Sequence, residues 1–213
     1  MQKLRTLTDA SDFLDTEFAW RLREIADIKS SVFSTKGPRQ VTLIRAGVAL
    51  LYAHWEGFIK IAAEVYVNYV SNRGLRYDQL QACFVARGLK GHLQKVVETK
   101  KGARLVEAIE FLQQELSNRA SIPFRGVVDT ESNLSSKVFA DIIVSIGLTP
   151  GPYETKYNLI DASLLDRRNR IAHGEPLDVT ATDYSALSDE VVGLMRAFKT
   201  DVENALVLKS YQR

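Results

Sequence analysis

From Pro38 onward, the apolar residues Val41, Ile44, Val48, Leu51, Trp55, Phe58, Ala62, Val65 and Tyr69 follow one another in steps of three and four. That alternation places them on one stripe of an α-helix, and the run predicts a single helix of about 50 Å at 1.5 Å per residue. Pro38 stands where a first-turn proline is tolerated, and Gly74 closes the run. An earlier helix is predicted over Asp9 to Phe33, with Phe18, Leu22, Ile25 and Val32 inward, and Gly37-Pro38 separates the two. Near the C-terminus, Tyr184, Leu187, Val191, Leu194, Phe198, Val202 and Leu206 form another such stripe, after a Thr/Asp-rich start suited to N-capping. A shorter helix is predicted from Tyr157 to His173, ended by Gly174 and Pro176. These segments predict an all-α fold, a four-helix up-down bundle packed by interlocking ridges.

The stretch from Leu75 to Pro152 has a different grain. Gly88, Gly91, Gly102, Pro123 and Gly126 cut it into short helical pieces, of which Leu105 to Leu116 and Leu134 to Ile146 carry helical patterns. It reads as a helical insertion between the second and third bundle helices of one domain spanning the chain. Thr149-Pro150-Gly151-Pro152 forms a rigid turn leading back into the bundle. Neither an internal repeat nor a low-complexity segment interrupts this plan.

Composition narrows the function classes. Among 213 residues, 46% are hydrophobic, enough for a substantial core, and 25% are charged, an ordinary soluble surface. A net charge of only +2 gives no global field, so nucleic-acid binding must use a local patch. Cys83 is the single cysteine, which excludes an internal disulfide and fits a reducing cytosol. Met1 to Asp12 lacks the apolar core of a signal peptide, and no run of about eighteen apolar residues is present, so a cytoplasmic protein without a membrane span is expected. His54, Cys83, His92 and His173 match no zinc module, and no glycine-rich phosphate loop occurs, so neither metal nor cofactor is expected.

The candidate chemistry lies in Arg168-Asn169-Arg170-Ile171-Ala172-His173, directly before Gly174. On a helical wheel, Ile160, Leu164 and Ile171 share one side, Leu165 and Ala172 extend it, and Arg168 falls near the middle of that apolar arc. A guanidinium there is costly unless paired. His173 falls on the polar arc beside Asp166, with Asn169 one turn before it. Arg168 suits a phosphate and the charge that builds on it, His173 suits proton transfer at a ribose 2′-hydroxyl or a leaving oxygen, and Asn169 would orient one of them. This is chemistry for RNA cleavage. Arg168 and His173 nevertheless point about 140° apart on an ideal helix. Either the last turn unwinds at Gly174, or two copies of the helix meet across a twofold axis and join the arginine of one to the histidine of the other. A structural reading also stands, in which Arg168 is a core arginine paired with Glu56 and the remaining arginines complement the helix end.

The Arg168 to His173 segment resembles the Arg-x4-6-His signature of the HEPN superfamily, in which the residue after the arginine is usually Asn, Asp or His. Tyr52-Ala53-His54-Trp55-Glu56-Gly57-Phe58-Ile59-Lys60 is similar to the aromatic-acidic segment of the MAE-type and RiboL-PSP-type HEPN domains. The resemblance implies a helical bundle that dimerises with two signatures facing each other. It further implies metal-independent endoribonuclease activity leaving a 2′,3′-cyclic phosphate, with Arg168, Asn169 and His173 as catalytic residues. It implies toxin–antitoxin, antiphage or RNA-processing roles, and hence RNA and an antitoxin or neighbouring-gene protein as partners. Some HEPN proteins bind nucleotides or partners without cutting, so a non-catalytic interaction module is the alternative.

Two further groups are candidates. On the long second helix, Trp55 lies on the core stripe, Glu56 one position off it as an ion-pair support for Arg168 or a residue that bears on catalysis, and His54 beside them as a second supporting residue or a boundary histidine. In the insertion, Arg87, Lys90, Lys95, Lys100, Lys101 and Arg104, with His92 among them, form either an electrostatic track for RNA phosphates or a solvated basic face. The track alone would make the chain a helical nucleic-acid-binding protein.

Overall fold

The computed structural model describes residues 3–91, 94, 102–124, 126 and 133–213, with the backbone alone at 104 and 108. Seven α-helices lie among them: α1 Leu7–Ser34, α2 Pro38–Ser71, α3 Ala82–Gly88, α4 Gly102–Glu115, α5 Ser136–Ser145, α6 Asp166–Ala172 and α7 Ala181–Val207. The described residues hold no β-strand, only isolated bridges. α1 and α7 start on side chains that satisfy otherwise orphaned N–H groups, whereas α2 starts on Gly37 and Pro38 with no side-chain cap. Thr6 accepts from Asp9 N–H and Thr180 from Asp183 N–H, and each aspartate reaches back to its threonine's backbone N–H.

Contacts between helices set their directions. Ser11 donates to Glu203, Lys199 pairs with Asp15, and Lys29 pairs with Asp189, so α1 and α7 run antiparallel. Phe18 packs on Phe58 and Gln40 donates to the Val32 carbonyl, so α1 and α2 are antiparallel too. Arg168 meets Tyr52 while Arg45 donates to the Glu175 carbonyl, which runs α6 antiparallel to α2. The four elements therefore alternate in direction along the chain, an up-down bundle with α2 at its centre.

The core follows the apolar stripes. Ile44, Val48, Leu51, Trp55, Phe58, Ala62 and Val65 of α2 are buried, as are all seven stripe residues of α7. Val41 departs from the expectation: it is 52% exposed. Toward the C-terminal end of α2 burial becomes circumferential, and every residue from Val65 to Val70 is buried. The stretch between α2 and the third bundle element supplies much of this cover. Phe84 of α3 packs on Tyr66, and Phe139 of α5 packs on Trp55, Tyr153 and Phe198. The described part of that stretch thus shares the bundle's core instead of standing apart from it.

The third bundle element differs most from its expected form. In place of one regular α-helix from Tyr157 to His173, Leu159–Leu165 is a π-helix, and Asp166 N–H reaches the Asp161 carbonyl five residues back. A tertiary contact accompanies this. The Asp161 carboxylate accepts from Ser136 N–H at 2.7 Å and from the Ser136 hydroxyl at 2.5 Å, which ties the wide turn to the start of α5. π-turns of this kind concentrate at functional sites.

Candidate functional site

α6 carries the Arg/His segment, and its end is built by local chemistry. His173 is the last residue before the chain turns, and Gly174 takes φ +75, a left-handed conformation in which a Cβ is strained. Glu175 N–H then donates to the Arg170 carbonyl at 2.9 Å and Gly174 N–H to the Ile171 carbonyl at 3.1 Å, the paired bonds of a Schellman cap. Arg170 holds the outgoing chain by donating to the Pro176 carbonyl at 2.8 Å, and Arg45 of α2 donates to the Glu175 carbonyl at 2.5 Å. The helix end is therefore fixed from both sides. Unwinding of the last turn, one of the two ways to bring Arg168 and His173 together, does not occur here: His173 N–H still donates to the Asn169 carbonyl at 2.9 Å.

His173 is exposed at this cap. Arg168 is half-buried on the side that faces α2. Its Cζ lies 4.1 Å from the centroid of the Tyr52 ring, and its Nη1 donates to Asn169 Oδ1 at 2.8 Å. Ile171 is half-buried, whereas Ala172, expected to extend the apolar face, is exposed. The wheel misplaces Ala172 because its 100° step assumes a regular helix from Tyr157 on, and the π-turn breaks that regularity ahead of α6.

Tyr52 holds the inner side of the site. It is 3% exposed, and its phenol oxygen accepts from Leu134 N–H at 2.6 Å. Burial pushes its phenol above the ordinary range, the charge of Glu56 adds to that, and the Leu134 bond and the Arg168 charge oppose it. Glu56, one turn along α2, thus stands close enough to act on the same spot. Arg167, next to Arg168, lies toward the start of α7, where its charge assists the Thr180 hydrogen bonds that hold the Asp183 carboxyl low.

The other candidates are distributed differently. His54 lies two residues from Tyr52, about 200° around the helix, and is buried against α1. There it meets Trp20 edge-on at 5.2 Å, and the Glu24 carboxylate comes within 2.9 Å of Nε2, off the line of a hydrogen bond. Burial holds His54 below the usual imidazole range despite Glu24, and the nearby Arg21 charge adds to the lowering. It packs between α1 and α2 and does not join Arg168. Arg87 is half-buried and donates to the backbone and side chain of Ser145, both at 3.3 Å, so part of its fork is engaged with the end of α5. Lys90 is exposed, and Arg104 belongs to α4. Lys95, Lys100, Lys101 and His92 lie outside the described residues. No cluster of three or more metal-ligating side chains occurs among the described residues, and no described helix is long and apolar enough to cross a membrane.

Sequence reasoning assigned no role to Tyr52 or Asp161. Tyr52 carried a signal in hindsight, since it stands one turn before Glu56 on the flank of the apolar stripe. Asp161 carried none, because its partner Ser136 is set by tertiary packing.

The family model RiboL-PSP-HEPN matches residues 16–204, which takes in α1 through nearly all of α7 and the whole Arg168 to His173 segment. No curated protein and no solved structure matches the chain.

Proposed function

Because the chain belongs to the RiboL-PSP-HEPN family, a HEPN-type domain, we propose that it is a metal-independent endoribonuclease acting through Arg168, Asn169 and His173. The observation that carries this reading is the division of labour on α6. An arginine has its Cζ 4.1 Å from the centroid of an aromatic ring, and an exposed histidine stands at the helix end. The first arrangement suits a phosphate, and the second suits a group that must reach a substrate's protons.

In the proposed reaction, one imidazole removes the 2′-hydroxyl proton and the 2′-oxygen attacks the adjacent phosphorus. The bond from phosphorus to the 5′-oxygen breaks, and that oxygen takes a proton from a second imidazole. The product is a 2′,3′-cyclic phosphate and a free 5′-hydroxyl. Arg168 stabilises the charge gathering on the phosphoryl oxygens. Two imidazoles imply two copies of α6, and a homodimer also solves the geometric problem, since Arg168 and His173 of one helix face different directions. Asn169 accepts from Arg168 and fixes the orientation of its fork. Restraint by an antitoxin or another neighbouring-gene protein, in a toxin–antitoxin or antiphage setting, belongs to this proposal on the strength of the family alone.

The test is incubation of the full chain with total RNA in EDTA, with His173→Ala and Arg168→Ala alongside and helicity checked for each. General acid–base catalysis is worth about 100-fold or more, so His173→Ala should reduce cleavage by at least that factor. Wild-type rates in both folded variants would overturn the assignment. Salt-sensitive binding that ignores His173 but collapses on changing Lys100 and Lys101 would point to the basic stretch instead.

A further inference from the structure

We infer that a pocket at the C-terminal end of α2 binds the phosphates of single-stranded RNA, with Lys3 and Arg119 as its contacting residues. The inference rests on the ribonuclease reading and adds where the strand is held away from the cut. The pocket has a volume of about 360 Å³, and its lining includes Lys3, Ser71, Arg119, Ser121 and Phe124. Two cations and no carboxylate stand among its described lining residues. Arg5 and Arg73 flank it, and Arg73 Nη1 donates to the Arg5 carbonyl at 3.2 Å. The Tyr69 ring and the Tyr211 phenol also engage Arg73, but both are uncharged and leave its charge in place. Arg76 is neutralised by Asp78, and Asp9, whose carboxylate accepts from the backbone N–H of Arg5 and Thr6, offsets one more charge. The C-terminus of α2 adds about half a negative charge. Four full positive charges outweigh these, in a chain whose net charge is only +2. Cations beside an aromatic wall are the combination by which proteins hold single strands.

Three segments distant in sequence build this pocket, and buried bonds hold each of them. The fully buried Asn68 accepts from Leu4 N–H at 3.2 Å, which places Lys3 against the end of α2. The chain after α4 is pinned to the chain after α2: Asp78 N–H donates to the Leu116 carbonyl, Tyr77 N–H to Asn118 and Ala120 N–H to Leu75, at 2.8 to 3.1 Å. The buried Tyr77 hydroxyl adds bonds to both backbone groups of Ser121. Arg119 stands in the middle of that pinned stretch. Its guanidinium lies over Gly74, where a Cβ would come within 3.1 Å of Nη2. Arg168 meets Tyr52, which precedes Asn72 by twenty residues of α2, so the two sites lie about 30 Å apart along the helix. Only a strand of several nucleotides reaches both.

The test measures binding of the full chain to a labelled single-stranded RNA of about 20 nucleotides, long enough to reach both sites. Its 2′-hydroxyls are methylated, so it cannot be cut by their attack. The double variant Lys3→Gln with Arg119→Gln is compared with Arg23→Gln with Arg196→Gln, which removes the same charge from exposed positions on α1 and α7. Single-strand affinity falls with salt by about 0.7 log units per contacted phosphate, so losing two contacts should flatten the slope by about 1.4 and raise Kd in 0.1 M salt about tenfold. The control pair should keep the wild-type slope, and so should Arg119→Lys, which retains the charge. With unmodified RNA in EDTA, the Lys3/Arg119 variant should raise KM about tenfold and hold kcat within about twofold, since it loses phosphate contacts and no catalytic group. Absence of cleavage by wild type with this binding pattern intact would sink the ribonuclease reading and leave the pocket standing. An unchanged salt slope in the Lys3/Arg119 variant, or an equal loss in the control pair, would overturn the inference. So would unaltered RNA binding beside lost binding to phosphatidylserine vesicles, which would assign the patch to a lipid surface.

Discussion

Gly174 and Lys209 occupy the same position in two equivalent helix caps, and exchanging their chemistry gives opposite predictions from one physical term. Each residue follows the last helical turn, at φ +75 for Gly174 and +54 for Lys209. At the second site Ser210 N–H donates to the Ala205 carbonyl at 3.0 Å and Lys209 N–H to the Leu206 carbonyl at 3.4 Å, the same bond pair found after α6. A left-handed residue with a Cβ costs about 1–2 kcal/mol over glycine. Glycine's freer unfolded chain returns about 0.4–1 kcal/mol of that difference. Gly174→Ala should therefore lose about 1 kcal/mol net. A Cβ at Gly174 meets nothing within 4 Å, so backbone strain is the whole cost. Lys209→Gly should gain about the same, since Lys209 is exposed. In a chain of this size each kcal/mol moves Tm by about 2–4 °C. Thermal unfolding followed by far-UV circular dichroism should place Gly174→Ala a few degrees below wild type and Lys209→Gly a few degrees above. Coincident melting curves for all three proteins would refute the reasoning, and a stabilised Gly174→Ala would mean that His173 does not end its helix in this turn.

Gly47→Ala in α2 should cost about 1–3 kcal/mol by overpacking, because its Cβ would stand 2.6 Å from the Tyr184 ring and 2.9 Å from Ile28 Cγ2. Gly193→Ala in α7, where a Cβ meets nothing, should instead gain up to about 1 kcal/mol in a denaturant titration. For His54, whose folded-state value is held below the unfolded 6.5 by burial, the unfolded chain takes up the proton first as pH falls. Its contribution is intact above about pH 6.5 and is lost as the pH falls toward the folded value, so stability should rise with pH across that window. His54→Phe should flatten that slope in urea midpoints measured from pH 5 to 8, and an unchanged slope would place the titrating group elsewhere.

The helices were largely legible because their cause is local. Apolar steps of three and four, Pro38 at a helix start, Thr180 before the last helix and Gly174 after α6 act through neighbours a turn away, and all are visible in the chain. The regularity failed where distant residues intervene. The π-turn at Leu159–Leu165 accompanies the bond between Asp161 and Ser136, which no window of the sequence contains. His54, Trp55 and Glu56, read from the sequence as a boundary or supporting histidine, a core residue and a support for Arg168, face different neighbours. Consecutive residues on a helix point in different directions, so His54 went to α1, Trp55 to the core and Glu56 toward Tyr52.

By itself the sequence determined an all-helical chain and put an arginine and a histidine on one short helix ended by a glycine. Backbone hydrogen bonding and side-chain periodicity reach only a turn or so along the chain, and that range suffices for both. What Arg168 leans on was decided by tertiary structure alone. The Tyr52 ring, the Leu134 N–H behind it and the Asp161 carboxylate come from segments far apart in the chain. They meet only because burying the apolar faces of α2, α5 and the third bundle element forces those segments together.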